Sequence, residues 1–181
     1  VVTHNFTFHR SYTPHLQGLL NFPVTGRLPE IFRPNGSLLL LQDLLAQQEA
    51  AHYPDLHLLG NFIDNHDGER FLHSQGGDLS QVRNGLVWTL LHQGIPIVYY
   101  GTEQVAVSRS EDERLSMWPH YGTTKLYEFL SQLNQLRRDY GLAAGGRSVL
   151  EPAIVVASTR SALAFVRGEL LALLTNVGAG A

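Results

Sequence analysis

The sequence predicts an α/β chain in which parallel strands lie buried between helices, followed by a small antiparallel β piece. Strand-like apolar runs alternate with helix-like stretches three times in series. The runs are close to continuously apolar, as in Ile95-Pro96-Ile97-Val98-Tyr99-Tyr100, which is the pattern of strands covered on both faces. Beyond Gly145-Gly146 the texture shifts to short alternating segments punctuated by turn residues. An open doubly wound sheet is the competing arrangement. No glycine-rich phosphate loop follows any of the strands, which counts against its nucleotide-binding form.

Each element has a local reason. Residues 1–15 are polar and aromatic without period, and His4, His9 and His15 are not at the i, i+4 spacing of a helical metal pair, so an irregular loop is expected. Residues 16–24 form the first strand candidate, ended by Pro23; Pro29 and Pro34 are expected to keep the next segment irregular. Ser37 can cap a helix running to about Tyr53, with Leu38, Leu41, Leu44 and Leu45 on one face and Pro54 at its end. A second strand follows over about 56–63. Asp78, with Gln81 as capping-box partner, starts a helix carrying Leu79, Val82, Leu86 and Leu90 to about Gln93, and Gly94 ends it. The third strand is 95–100, with Pro96 tolerated near its start. After a long loop, a helix from about Thr124 to Tyr140 presents Leu126, Phe129, Leu130, Leu133 and Leu136, and Gly141 stops it. Segments 153–157, 162–166 and 170–175 read as antiparallel strands, with a domain boundary near 144.

Composition narrows the function. With 181 residues, 44% hydrophobic and 16% charged, the chain can bury a core of ordinary size. A net charge of −3 and 13 scattered Lys and Arg give no basic surface for nucleic acid. No apolar run approaches the roughly 20 residues that span a bilayer, so no membrane partner is expected. Without Cys there are no disulfides, no thiolate catalysis and no Cys-ligated metal. The chain opens on Val1 without an initiator Met and stops just after a strand-like run, so both ends look cut. Asn5-Phe6-Thr7 and Asn35-Gly36-Ser37 are glycosylation sequons that would suit a secreted, extracellular protein; Asn35-Gly36 is equally a turn.

The stretch Asn61-Phe62-Ile63-Asp64-Asn65-His66-Asp67 carries the chemistry. It continues the second strand and empties into Gly68-Glu69-Arg70, so His66 and Asp67 stand at a strand tip, where enzymes built on parallel strands keep their reacting groups. Asp67-Gly68 is also an ordinary turn signal, and a His-Asp pair beside it can simply satisfy backbone amides.

That stretch, followed about thirty residues later by Gly94-Ile95-Pro96-Ile97-Val98-Tyr99-Tyr100-Gly101-Thr102-Glu103-Gln104, resembles the α-amylase family of glycoside hydrolases. The likeness runs back to Gly18-Leu19-Leu20-Asn21-Phe22-Pro23 and forward through Arg114-Leu115-Ser116-Met117-Trp118. It implies a partial (β/α)8 barrel over residues 1–143, its strands similar to the sixth, seventh and eighth, and the start of an antiparallel C-terminal β domain over 144–181. It implies α-glucans such as starch, glycogen or maltooligosaccharides as substrate, cleaved by a retaining mechanism. By the resemblance, Asp67 is the carboxylate that stabilises the transition state without bonding covalently to the sugar. His66 hydrogen-bonds sugar hydroxyls at the cleavage point, and Arg114 binds substrate from the loop after the third strand. An acidic residue is expected four positions before Arg114; Ser110 stands there, with Glu111 and Asp112 displaced toward the arginine. Arg114 can equally be a surface ion-pair residue.

The resemblance also implies partners outside this chain. The nucleophile Asp and acid/base Glu belong to the fourth and fifth barrel strands, upstream, and residues 1–15 contain no Asp or Glu. The calcium-binding segment is likewise expected in the missing N-terminal barrel half of the same polypeptide, so no metal ligands or cofactors are assigned here. Two classes remain: a starch-cleaving hydrolase represented by its C-terminal portion, inactive alone, or a non-catalytic truncated relative serving as a carbohydrate-binding or protein-interaction module.

Overall fold

The structure, a computed structural model, describes residues 3–105 and 116–178. It begins with a short helix where an irregular loop is predicted. In α1 (Phe6–Arg10), the Asn5 side chain caps the end by accepting from the Phe8 amide at 2.9 Å. His9 anchors this helix. It is buried, with Nδ1 2.7 Å from the Tyr53 hydroxyl and Nε2 2.9 Å from the Leu20 carbonyl. Burial holds His9 below the usual imidazole range. A carbonyl can only accept, so Nε2 carries the proton.

The first strand is shorter than the sequence predicts. β1 (Leu19–Leu20) gives way at Asn21 to α2 (Phe22–Thr25), with Pro23 in the first turn. Proline is tolerated there because that amide has no intrahelical acceptor, so Pro23 starts a helix rather than ending a strand. Pro29 does the same in α3 (Leu28–Phe32), which replaces the expected irregular stretch. α4 (Leu38–Ala50) starts after Ser37 as predicted, although the Ser37 side chain makes no capping bond. It buries Leu38, Leu41, Leu44 and Leu45.

A 3-10 turn at Leu56–Leu58 takes up the beginning of the predicted second strand and leaves β2 (Leu59–Asn61). After α5 (Phe71–Ser74), α6 (Leu79–Leu91) is capped by Asp78, which accepts from the Ser80 amide at 2.8 Å. The capping-box role of Gln81 is not observed. Its side chain is buried and without a hydrogen-bond partner. β3 (Ile95–Pro96) is also short, but the Ile97 amide extends its ladder by donating to Asn61 O at 2.8 Å. Gly94 makes this approach possible: at φ +118 it occupies space where a Cβ would sit 2.6 Å from Leu59 O. α7 (Lys125–Asp139) follows, with Thr124 accepting from Tyr127 N at 3.0 Å.

β1, β2 and β3 form one parallel sheet in that order. β4 (Ile154–Ser158), β5 (Ala162–Arg167) and β6 (Leu170–Thr175) form a separate antiparallel sheet close to its predicted limits. Its inner residues Leu163, Phe165, Ala172 and Leu174 join the same hydrophobic cluster as Leu38, Leu41, Val82, Leu86 and Trp88. Each fully buried leucine or phenylalanine of this cluster is worth about 1.5–3 kcal/mol relative to exposure.

Two arginines reach the C-terminal end of α6, Arg167 from β5 and Arg137 from α7. Arg167, buried, donates to His92 O at 2.8 Å, Val149 O at 2.7 Å and Glu151 O at 3.1 Å. Arg137 donates to Leu90 O and, at 3.1 Å, to Leu142 O. The carbonyls of Leu90 and His92 close the C-terminal end of α6, the negative end of its dipole, which favours cations. Burial pushes Arg167 down to about 10, with Arg137 beside it adding to the shift, and both remain cationic at neutral pH.

Candidate active site

The strands of the parallel sheet run the same way, so the chain leaves each of them at one end of the sheet. Asn21 follows β1, residues 62–64 follow β2, and residues 97–102 follow β3. A buried amide ladder ties the ends of β1 and β2 to the segment that enters β3. Asn21 Nδ2 donates to Asn61 Oδ1 at 2.8 Å, and Asn61 Nδ2 donates to Gln93 O at 2.8 Å. Phe62, Ile63 and Asp64 stay buried, and the chain emerges into solvent at His66.

His66 and Asp67 stand together on that emerging loop. His66 Nε2 is 3.1 Å from Asp67 Oδ1, and their side chains are 61% and 51% exposed, so both can meet a ligand from solvent. The Asp67 amide donates to Asn65 Oδ1 at 2.8 Å, an Asx turn that sets the backbone under the carboxylate. The carboxylate itself is left facing outward beside an imidazole. Such a pair can present negative charge and a hydrogen-bonding ring to a polyhydroxylated ligand.

Beneath the loop lies a polar cluster that sequence reasoning misses. Asp64, 6% exposed, accepts from the Phe71 amide at 2.6 Å and from the Thr102 hydroxyl at 2.8 Å. The Arg70 guanidinium, also buried, has Nη1 3.9 Å from Asp64 Oδ2 and lies over the Tyr99 ring at 4.3 Å from its centroid. Burial pushes the Asp64 carboxyl above its ordinary value, while the Phe71 amide, the Thr102 hydroxyl and Arg70 pull the other way. A signal is present in the sequence: a lone carboxylate directly after Phe62-Ile63 must find partners if it is buried. The identity of those partners is not, since Thr102 lies 38 residues away.

Arg114, with Ser110, Glu111 and Asp112, lies outside the described residues. The structure therefore brings His66 and Asp67 together and describes nothing of Arg114. Among the described residues no three His, Cys, Asp or Glu side chains converge as a metal site. A cavity of about 260 Å³ lies between α4, the end of α6 and β4, bordered by Gln48, His92 and Ala153. None of His66, Asp67 and Asp64 lines it, so it is separate from the strand-tip chemistry. No helix among the described residues is long and apolar enough to cross a membrane. Both sequon asparagines, Asn5 and Asn35, are exposed.

No family model matches the chain. It is 38% identical over 130 residues to alpha-amylase 1 of Lipomyces kononenkoae, an alignment covering 70% of this chain and 20% of that protein. It is 32% identical over 129 residues to the cyclomaltodextrin glucanotransferase of Thermoanaerobacterium thermosulfurigenes, covering 71% of this chain and 18% of that one. Its fold superposes on the solved structure of an alpha-amylase from Malbranchea cinnamomea with a TM-score of 0.91 and 31% identity, over 99% of this chain and 38% of the other. The chain thus spans about a fifth of the length of these two curated relatives.

Proposed function

This chain is a relative of the α-amylases and cyclomaltodextrin glucanotransferases, and from that premise we propose that it is the C-terminal part of a glycoside hydrolase acting on α-glucans. On this reading the parallel strands are the sixth to eighth of a (β/α)8 barrel, ending near residue 143, and residues 144–181 begin a C-terminal β domain. The pairing of His66 with Asp67 on the loop leaving β2 carries the proposal, because it is the arrangement that glucan cleavage asks of this position.

Cleavage of a glycosidic bond with retention needs two carboxyl groups roughly 5 Å apart, one attacking the anomeric carbon and one protonating the leaving oxygen. We assign both to the segment upstream of residue 1, together with any calcium ligands. Asp67 then has a different task. As the sugar acquires oxocarbenium character, positive charge spreads over its ring, and a fixed carboxylate nearby stabilises that charge more than it stabilises the ground state. His66 hydrogen-bonds hydroxyls of the same glucosyl unit and keeps it oriented, and Arg114 contributes a further donor to the substrate. The exposed sequons at Asn5 and Asn35 support a secreted protein.

The full-length protein should cleave maltooligosaccharides and release the α anomer first, read by proton NMR of the anomeric signals before mutarotation. Release of the β anomer first contradicts retention. Tight glucan binding with no cleavage assigns the protein to carbohydrate binding instead.

A further inference from the structure

We propose that Asp64 is the positioning residue of this site, the group through which the loop bearing Asp67 is locked to the loop that leaves β3. The inference rests on the role proposed for Asp67. It follows from where the Asp64 contacts go. Oδ1 accepts from Phe71 N, seven residues on, so the loop 64–71 is closed at its base by one carboxylate oxygen. Oδ2 accepts from the Thr102 hydroxyl, beyond the tip of β3, so the other oxygen joins the neighbouring loop. Asn65, the next residue, is the one that holds the Asp67 amide. A shift of Asp64 is therefore carried to Asp67 through one residue of backbone and one hydrogen bond.

Arg70 adds the reason for a charge rather than an amide at this place. Its guanidinium is buried, lies 4.3 Å from the Tyr99 ring centroid and 5.1 Å from that of Tyr100, and faces Asp64 at 3.9 Å. Tyr99 and Tyr100 leave the same strand as Thr102. Asp64 and Arg70 therefore grip the loop after β3 at two points, the hydroxyl and the rings, while both belong to the loop after β2. Aromatic faces and a carboxylate both stabilise a guanidinium out of water. Asparagine at position 64 would keep an acceptor for Phe71 but remove the charge that faces Arg70.

The test is a double-mutant cycle in the full-length protein, combining Asp64→Asn with Asp67→Asn, and Thr102→Val with Asp67→Asn. Displacing a reacting group by about 1 Å can cost up to about 10²-fold in rate. Asp64→Asn and Thr102→Val should each lower kcat by about tenfold or more, with KM changed far less, and each effect should shrink to within about twofold when Asp67 is already Asn. Thr102→Val keeps the buried charge pair and serves where Asp64→Asn fails to fold. Equal kcat losses in the presence and absence of Asp67 would overturn the proposal, since a merely structural residue acts regardless of Asp67. Hydrogen exchange of the same variants is a readout independent of activity: Thr102→Val should accelerate exchange at Phe71 and Asp67, and unchanged protection there would also overturn the proposal. An inactive wild-type protein counts against the hydrolase reading alone, and the exchange result still decides the coupling.

Discussion

Asp67→Asn in the full-length protein will lower kcat by at least ~10²-fold while leaving the fold intact, the scale of losing one preorganised electrostatic contact to the transition state. The side chain is half exposed, and among the described residues His66, at 3.1 Å, is its neighbour within ion-pair distance. Exposed pairs of this kind contribute between about 0 and 1 kcal/mol to stability, so thermal unfolding should barely move. The Asx turn that shapes the loop uses the Asp67 backbone amide, which asparagine retains. On the proposed role of Asp67, what asparagine removes is the negative charge facing the developing oxocarbenium ion. A ~10²-fold loss corresponds to about 2.7 kcal/mol of transition-state stabilisation. KM should change much less, because the interaction strengthens only as the bond breaks. Turnover within a few-fold of wild type would make residues 64–71 a turn and nothing more.

Residues 1–181 by themselves will release no measurable reducing sugar from soluble starch, and they will associate. The proposed mechanism needs two carboxyl groups across the scissile bond, and Asp67 cannot act as both nucleophile and acid. The tendency to associate comes from the parallel sheet. Leu20, Gly60 and Ile95 share a register and therefore a face, and on that face Leu20 is 49% and Ile95 47% exposed. In a closed barrel such a face is filled by the opposite strands. β1 and β3 also end the sheet order, each with no second neighbour to pair its outer backbone groups among the described residues. Light scattering at micromolar concentration should report aggregates or oligomers. Glucan cleavage by this chain would contradict the assignment of the missing carboxylates, and a cooperatively unfolding monomer would contradict the assignment of a cut barrel.

Most of the scaffold is legible in the sequence because its signals are local. Leu38, Leu41, Leu44 and Leu45 on α4 and Leu126, Leu130 and Leu133 on α7 recur at helical spacing and are buried as that spacing requires. In β6, Leu170, Ala172 and Leu174 are buried while Leu171 and Leu173 are exposed, the alternation of a half-covered sheet. Prolines are harder to read. Pro23 and Pro29 look like breakers in sequence, yet each occupies a first helical turn, where the missing amide costs nothing. The strands β1 and β3 end earlier than their apolar runs, because such a run does not say where pairing stops. Ile97, Val98 and Tyr100 continue the run of β3 but stand partly exposed.

The site divides in the same way. His66 and Asp67 are legible as neighbours at a strand tip. His9 is not: in sequence it is one imidazole in an aperiodic segment, and its partners Tyr53 and Leu20 are 44 and 11 residues away. Asp64, Arg70 and Thr102 are likewise joined only by the fold. Polar groups of this kind reveal themselves through burial, and burial is a tertiary property.

The most direct test is a crystal structure of the full-length protein with a non-cleavable maltooligosaccharide bound. The glucosyl unit at the cleavage point should lie with its hydroxyls at about 2.7–3.2 Å from His66 and Asp67, the range of a true hydrogen bond. A glucan bound elsewhere, with His66 and Asp67 making no contact to it, would contradict the account.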